Sequence, residues 1–94
     1  MPEPANNGRM TTLLQADTAI RRVLKDHGRL GTDVDKLPAD ADLYQAGMTS
    51  HASVNVMLAL EGEFQVEFPQ YMLKRNVFRS IASIERALRE LIAA

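Results

Sequence analysis

The stretch from Asp42 to Pro69 constrains the fold most, because it joins a loop directly to a helix that is apolar on two sides. The loop ends at Gly47, a serine follows at Ser50, and the residue spacing predicts a helix that runs to about Gln65. A helix that is apolar on two sides must bury both of them. We therefore expect one side to face the domain core and the other to face a second molecule.

The two sides of this helix consist of different residues. The core side is predicted to contain Val56, Met57, Leu60 and Phe64. A second, partly apolar arc lies in line with Ser50 and contains His51, Val54, Leu58 and Glu61. The second arc is the candidate surface for a partner.

The remaining periodicity predicts two further long helices and a short one. Apolar residues at three- and four-residue intervals predict a helix over 12–27, with Gly28 as its stop. A short helix is expected over 70–74, and Asn76 is the expected cap of a last helix that runs to the chain end. The fold class is thus an all-α bundle.

A long first loop separates the first two helices. No sustained period occurs from residue 29 to residue 49, and a structureless loop of that length is unusual in a compact domain. We expect a short helical turn over 39–44 and anchoring by apolar side chains that enter the core: Leu30, Val34, Leu37, Leu43 and Tyr44.

Length and composition indicate one small domain. Residues 1–10 contain two prolines, two asparagines and a glycine, which predicts a disordered tail before a folded domain at 11–94. The chain has no cysteine, no membrane-length apolar run and no apolar signal segment. We expect a cytoplasmic monomer that does not associate with a membrane.

Charge is distributed unevenly along the chain. The net charge is -1, but residues 33–69 carry seven acids and one base. This central acidity opposes a nucleic-acid surface, and the long loop does not fit the short turn of a helix-turn-helix. The aspartates in the loop lack the glycine and glutamate spacing of a calcium-binding EF-hand, so no metal site is predicted.

Ser50 is the residue best placed to carry chemistry. A serine at a helix start points its hydroxyl outward beside backbone N–H groups that have no helical acceptor. A phosphodiester on that hydroxyl would place negative charge where the helix dipole favours it. The alternative is that Ser50 only caps the helix, a position that serine favours without any other function.

The central residues resemble the acyl carrier protein family. The resemblance rests on L-Y-Q-A-G-M-T-S at 43–50, V at 54, L-A-L-E at 58–61, F at 64 and P at 69, and the helix order extends it over 12–92. It implies a four-helix bundle with three main helices and one short helix. The domain at 11–94 would then be a carrier domain that is not itself an enzyme.

The resemblance also implies a cofactor and partners. Ser50 would match the serine to which a phosphopantetheinyl transferase attaches 4′-phosphopantetheine from coenzyme A. The thiol of that arm would hold a cargo as a thioester. The surface offered to partner enzymes would consist of Met48, Thr49, His51, Val54, Leu58 and Glu61, although Met48 also suits a core position.

Two residues depart from the usual pattern of that family. Thr49 stands where aspartate is usual, and His51 stands where leucine is usual. With M-T-S-H-A-S at 48–53 and the weak net charge, the chain is most similar to small stand-alone aminoacyl carrier proteins. That similarity implies loading with glycine or alanine by a ligase that resembles a class II aminoacyl-tRNA synthetase.

Two alternative functions remain open from the sequence. One is an acyl carrier protein for a specialised fatty-acid or polyketide-type pathway. The other is a helical adaptor without any modification, which would dock a partner through His51, Val54 and Leu58. Substitution of Ser50 separates the adaptor from both kinds of carrier, because only a carrier needs the hydroxyl.

Overall fold

The computed structural model describes residues 15–93, and the side chains of residues 15–92. These residues form three helices and two 3-10 turns and contain no strand, which confirms the all-α class. The elements are α1 at Ala16–Val23 with a π-helical continuation at Leu24–Gly28, a 3-10 turn at Val34–Lys36, α2 at Ser50–Phe64, a 3-10 turn at Gln70–Met72, and α3 at Ile81–Ala93. The predicted tail at 1–10 and the predicted first turn of helix one lie outside the described residues. No helix in the described range is long and apolar enough to cross a membrane.

The core forms where the apolar stripes of the three helices meet. Every fourth residue of α2 from Ala52 onward is buried, and α1 and α3 contribute stripes at mixed three- and four-residue spacing. The main core residues are Ala16, Ile20, Val23, Leu24, Ala52, Val56, Leu60, Phe64, Ile81, Ile84 and Leu88. Burying one large side chain of this kind stabilises the fold by about 1.5–3 kcal/mol. Met57 is only partly buried, so the predicted core side of α2 is correct except at its edge.

The end of α1 differs from the prediction in one detail. Gly28 was expected to be the stop, but it is the last residue of the π-helical turn, and Arg29 takes the left-handed conformation at φ 55°. A Cβ on Gly28 would lie 3.3 Å from Cδ2 of Leu24. Gly28 therefore permits close packing beneath the helix end, and Arg29 makes the turn. His27, just before Gly28, is exposed.

The long loop is ordered by buried anchors, as predicted. Val34 and Leu43 are buried, and Leu30, Leu37 and Tyr44 pack partly against the core. The sequence did not predict the 3-10 turn at Val34–Lys36, where the Asp33 carboxylate accepts the N–H of Asp35 at 3.0 Å. The segment 39–44 forms turns and no helix.

Hydrogen bonds connect this loop to α1 and to the segment just before α3. The Arg21 guanidinium of α1 donates to the carbonyls of Val34 at 2.7 Å and Leu37 at 2.8 Å. At the other end, the N–H of Leu43 donates to the Arg79 carbonyl at 2.7 Å. Because the loop is bonded at both ends, it holds the segment before Ser50 in place.

The start of α3 corrects a second prediction. Asn76 does not cap the helix; it is exposed in a turn, and α3 begins at Ile81. Ser80 caps it, because its Oγ accepts the N–H of Ser83 at 3.0 Å while Oγ of Ser83 accepts the N–H of Ser80 at 3.0 Å. This reciprocal pair is the serine equivalent of a capping box.

The predicted short helix over 70–74 is a 3-10 turn of three residues. Its Met72 is buried, but Tyr71 and Leu73 are exposed at 61% and 48%. A turn of this length directs only one side chain inward, so its neighbours remain on the surface.

Candidate functional site

Ser50 is the first residue of α2, and it does not cap the helix. The cap is Thr49, whose Oγ1 accepts the N–H of Ala52 at 3.0 Å. The Ser50 side chain is exposed, and its hydroxyl makes no hydrogen bond with any described residue. The interpretation of Ser50 as a plain cap is therefore wrong, because Thr49 caps the helix.

The backbone around Ser50 suits an anionic group. Thr49 satisfies the N–H of Ala52, whereas the N–H groups of Ser50 and His51 have no acceptor within the helix. These groups lie at the positive end of the dipole of α2. A phosphodiester on the Ser50 hydroxyl would fit there, because it brings acceptor oxygens and negative charge to unsatisfied donors.

The loop immediately before Ser50 is held by a glycine turn and a buried methionine. Gly47 has φ +116°, a conformation that other residues rarely adopt, so the chain turns sharply there. Met48 follows with 3% of its surface exposed, and its N–H donates to the Leu43 carbonyl at 3.0 Å. Met48 is thus a core residue, and its place on the predicted partner surface is wrong.

The predicted arc on α2 is largely exposed. Val54 and Leu58 are 50% and 55% exposed, and His51 beside Ser50 is exposed as well. Thr49 is also exposed, although its Oγ1 is engaged as the cap. His51, Val54 and Leu58 follow one another at helical spacing and form an exposed stripe along α2, which Thr49 precedes as the cap.

Glu61 belongs to this arc by sequence spacing but has a structural contact. Its Oε2 accepts the N–H of Phe68 at 2.9 Å, which fixes the chain after α2. Phe68 is buried and meets Phe78 edge to face, with ring centroids 5.3 Å apart. Glu61 therefore holds the connection toward α3 in place, a role that the helical period alone did not reveal.

A groove of about 340 Å³ opens beside Ser50. From α2 it is lined by Ser50, Ser53, Val54 and Met57. The facing wall consists of Tyr44, Leu73, Lys74, Arg75 and Phe78. Its lining is mainly apolar with two cations and no acid. The sequence did not predict this wall, because it combines the long loop with the segment after Met72, and only tertiary packing brings the two together.

Asp42 in the loop has several structural contacts. Asp42 Oδ1 accepts the N–H groups of Tyr44 at 2.9 Å and Gln45 at 3.2 Å, and Oδ2 pairs with Arg79 at 3.1 Å. The hydrogen bond from Gln45 lowers the pKa of the Asp42 carboxyl most, partial burial opposes it, and Tyr44 and Arg79 add to the lowering. Within residues 15–93, no cluster of three or more His, Cys, Asp or Glu side chains is arranged to hold a metal ion.

Comparison with known proteins decides the family. Residues 19–88 match the protein family described as "Phosphopantetheine attachment site". The chain belongs to this family of phosphopantetheine-binding carrier domains. The resemblance predicted from the central motif is thereby confirmed, together with the cofactor class that it implied.

The chain is also a homologue of aminoacyl carrier protein. It is 42% identical over 76 residues to the "Aminoacyl carrier protein" of Agrobacterium fabrum (strain C58 / ATCC 33970), over 81% of this chain and 92% of the relative. A solution structure from Agrobacterium tumefaciens is 43% identical, over 79% of this chain and 89% of that chain, with a TM-score of 0.64.

Two crystal structures contain a similar carrier protein from Agrobacterium tumefaciens in complex with engineered Bradyrhizobium japonicum glycine:[carrier protein] ligase. In the complex with AMP the identity is 44% and the TM-score 0.76, over 78% of this chain and 97% of that chain. In the complex with ATP the identity is 42% and the TM-score 0.79, over 81% and 99% respectively.

Proposed function

We propose that this carrier domain bears 4′-phosphopantetheine on Ser50 and carries a small amino acid, glycine in the first instance and alanine in the second. The thiol of the arm supplies the sulfur of the thioester that holds the amino acid. The loading enzyme is an amino acid:carrier protein ligase that resembles a class II aminoacyl-tRNA synthetase, and a phosphopantetheinyl transferase installs the arm. The chain presents the cargo and catalyses no step itself.

The observation that carries this proposal is the free hydroxyl at the first position of α2. Thr49 satisfies the capping requirement, so Ser50 has no structural task, yet its side chain is exposed beside unsatisfied N–H groups. Ser53 offers a contrast three residues later, because its Oγ donates to the Ser50 carbonyl at 2.7 Å. Of these three hydroxyls, only the one on Ser50 is uncommitted.

An amino-acid cargo is supported by the surface of α2 and by the relatives. Between Ser50 and Leu60, α2 has no acidic residue, and the polar His51 is adjacent to the attachment point. A partner enzyme that binds carrier proteins through an acidic helix would find no carboxylate to pair with in this part of α2. The similar carrier protein of Agrobacterium tumefaciens was crystallised with a glycine:[carrier protein] ligase.

We further propose that partner enzymes dock on Thr49, His51, Val54 and Leu58. The exposed apolar pair within this set, Val54 and Leu58, supplies area that loses water on binding. Glu61 lies at the far end of the stripe, where its carboxylate is engaged by Phe68. Contact by Glu61 is therefore limited to its exposed edge.

Attachment is tested by intact mass after incubation with coenzyme A and a broad-specificity phosphopantetheinyl transferase. The wild type is expected to gain the mass of one arm, Ser50→Ala to gain none, and Ser53→Ala to behave as the wild type. A Ser50→Ala variant that is still modified, or a wild type that several transferases leave unmodified, would contradict the proposal. An unmodified wild type that still binds its partner would instead support the helical adaptor.

Cargo is tested by adding ATP, one amino acid and the ligase to the modified protein. The mass is expected to increase by one glycyl group, or by one alanyl group with alanine, and hydroxylamine should remove it because it cleaves thioesters. Loading by a fatty-acid ligase in place of the amino-acid ligase would favour the specialised acyl carrier. The same protein without the arm is the control and should gain nothing.

A further inference from the structure

Two cations at the groove beside Ser50 have no ionic partner among residues 15–93. Within the described residues, the carboxylates that form salt bridges pair with arginines and a lysine elsewhere, and Lys74 and Arg75 are not among them. Both side chains line the groove that also contains the Ser50 side chain. Because no acid lines this groove, its mouth carries an uncompensated positive charge next to the attachment point.

The position of Arg75 is fixed by an aromatic ring. Its guanidinium carbon lies 3.8 Å from the centroid of the Tyr44 ring, within the range of a cation–π contact. Tyr44 is held in turn by the hydrogen bond from its N–H to Asp42 Oδ1. A guanidinium that stacks by its face keeps the N–H groups in its plane available for an anion.

We propose that Lys74 and Arg75 are positioning residues for the arm: they bind the phosphodiester on Ser50 and direct the pantetheine chain into the groove. This inference rests on the proposed attachment at Ser50. The phosphodiester would receive the N–H groups of Ser50 and His51 from α2 and the two cations from the opposite wall. Val54, Met57 and Leu73 then contact the apolar part of the arm.

The arrangement explains why the wall opposite α2 carries two cations while the rest of the groove is mainly apolar. The phosphodiester carries a negative charge that needs donors, whereas the chain beyond it has methyl and methylene groups that favour an apolar surface. A groove of about 340 Å³ is within the size range of small-molecule sites. The arm is thus held against the domain between partner encounters, and it must leave the groove to reach an enzyme.

The test compares modified and unmodified protein by NMR, with intact mass measured first. In the modified wild type, nuclear Overhauser contacts are expected between the geminal methyls of the arm and the side chains of Val54 and Leu73. The double variant Lys74→Gln/Arg75→Gln should gain the same arm mass but lose these contacts. Arg86→Gln is the matched control, because Arg86 is an exposed cation of α3 without an ion pair in the described structure.

A charge-conserving variant tests the contribution of positive charge apart from the stacking of Arg75 on Tyr44. Lys74→Arg/Arg75→Lys should retain the contacts at low salt and lose them as salt rises, because the side chains keep their charge while the planar guanidinium moves away from Tyr44. Circular dichroism checks that all variants remain helical. A modified wild type whose arm shows no contact with Val54 or Leu73, or a double variant that keeps such contacts, would overturn this inference and leave the attachment at Ser50 standing. Absence of the arm mass would remove both.

Discussion

The Oγ1 of Thr49 lies 3.0 Å from the backbone nitrogen of Ala52 and accepts its N–H, so the hydroxyl before Ser50 caps α2. Capping and attachment are therefore separate tasks on adjacent residues. A capping side chain must point back toward the first turn, whereas a side chain at the next position points away from the axis into solvent. The presence of threonine here, where carrier proteins of the wider family usually have aspartate, preserves the cap without adding negative charge.

Thr49→Ala should lower the free energy of unfolding by about 1 kcal/mol, because the N–H of Ala52 loses its acceptor. Addition of the arm to Ser50 should persist, since the Ser50 hydroxyl does not depend on the cap. Urea denaturation and intact mass measure the two effects. Thr49→Ser and Thr49→Asp keep an acceptor and should unfold close to the wild-type midpoint. An equally large loss in Thr49→Ser would show that the cap is not the cause.

Gly47→Ala should lower the free energy of unfolding by about 1 kcal/mol or more, because alanine is strained at φ +116°. Gly62→Ala is the matched control: it lies inside α2, and a Cβ there would meet nothing within 4 Å. That change should raise stability by up to about 1 kcal/mol, since alanine favours a helix. If both substitutions shifted the thermal midpoint in the same direction, the claim that glycine is needed at position 47 for its positive φ would be wrong.

Acid should weaken the anchor that Asp42 provides for the loop. The pKa of this carboxyl in the folded protein lies below its ordinary value of 3.8. Its stabilising contribution is thus complete above pH 3.8 and is lost as the pH falls through the lower, folded-state pKa. Asp42→Asn can still accept from Tyr44 and Gln45 but cannot pair with Arg79 or titrate.

We therefore expect the wild type to be more stable than Asp42→Asn above pH 4, with the difference narrowing toward more acidic pH. Chemical denaturation at a series of pH values measures it. Arg79→Gln should also be less stable than the wild type above pH 4, because it removes the partner of the same carboxylate. A difference that stayed constant, or grew as the pH fell, would contradict the assignment.

Leu58→Asp should weaken binding of the amino-acid ligase while leaving the fold intact. Leu58 is 55% exposed, so its loss removes little from the core, whereas an aspartate in an apolar contact with the ligase would lose its water without gaining a partner. Titration calorimetry with the ligase should show a weakening of about tenfold or more. Thr18→Asp on the exposed face of α1 should bind as the wild type does.

Leu60→Asp separates folding from docking. Leu60 is fully buried two residues later, and a carboxylate there would be removed from water without a partner. That variant should unfold, as read by loss of helical circular dichroism, whereas Leu58→Asp should not. If Leu58→Asp left ligase binding unchanged, the docking surface would lie elsewhere on the domain.

Repeating patterns in the sequence were sufficient to predict α2, the central helix of the fold. The bounds of α2 and its buried face follow from local spacing, because a helix repeats the same geometry at each turn. The anchors Val34 and Leu43 could also be predicted, since isolated leucine and valine in a polar loop have few alternatives to the core.

Features that depend on long-range packing could not be predicted in this way. Asn76 and Ser80 are both acceptable caps, and the choice of Ser80 depends on Ser83 and on the hydrogen bond from Leu43 to the Arg79 carbonyl. Glu61 has the spacing of the exposed arc, but the chain after α2 returns to place the N–H of Phe68 against it. The groove wall at Lys74 and Arg75 has no sequence signal for the same reason.

The measurement that tests the central claim most directly is the position of the arm within the modified chain. Tandem mass spectrometry of the tryptic peptide from Leu37 to Lys74, which contains Thr49, Ser50 and Ser53, locates the added mass residue by residue. We expect fragments that include Ser50 to carry phosphopantetheine and those that contain only Thr49 or only Ser53 to lack it. Phosphopantetheine on either of those neighbours, or on no residue of this peptide, would contradict the account.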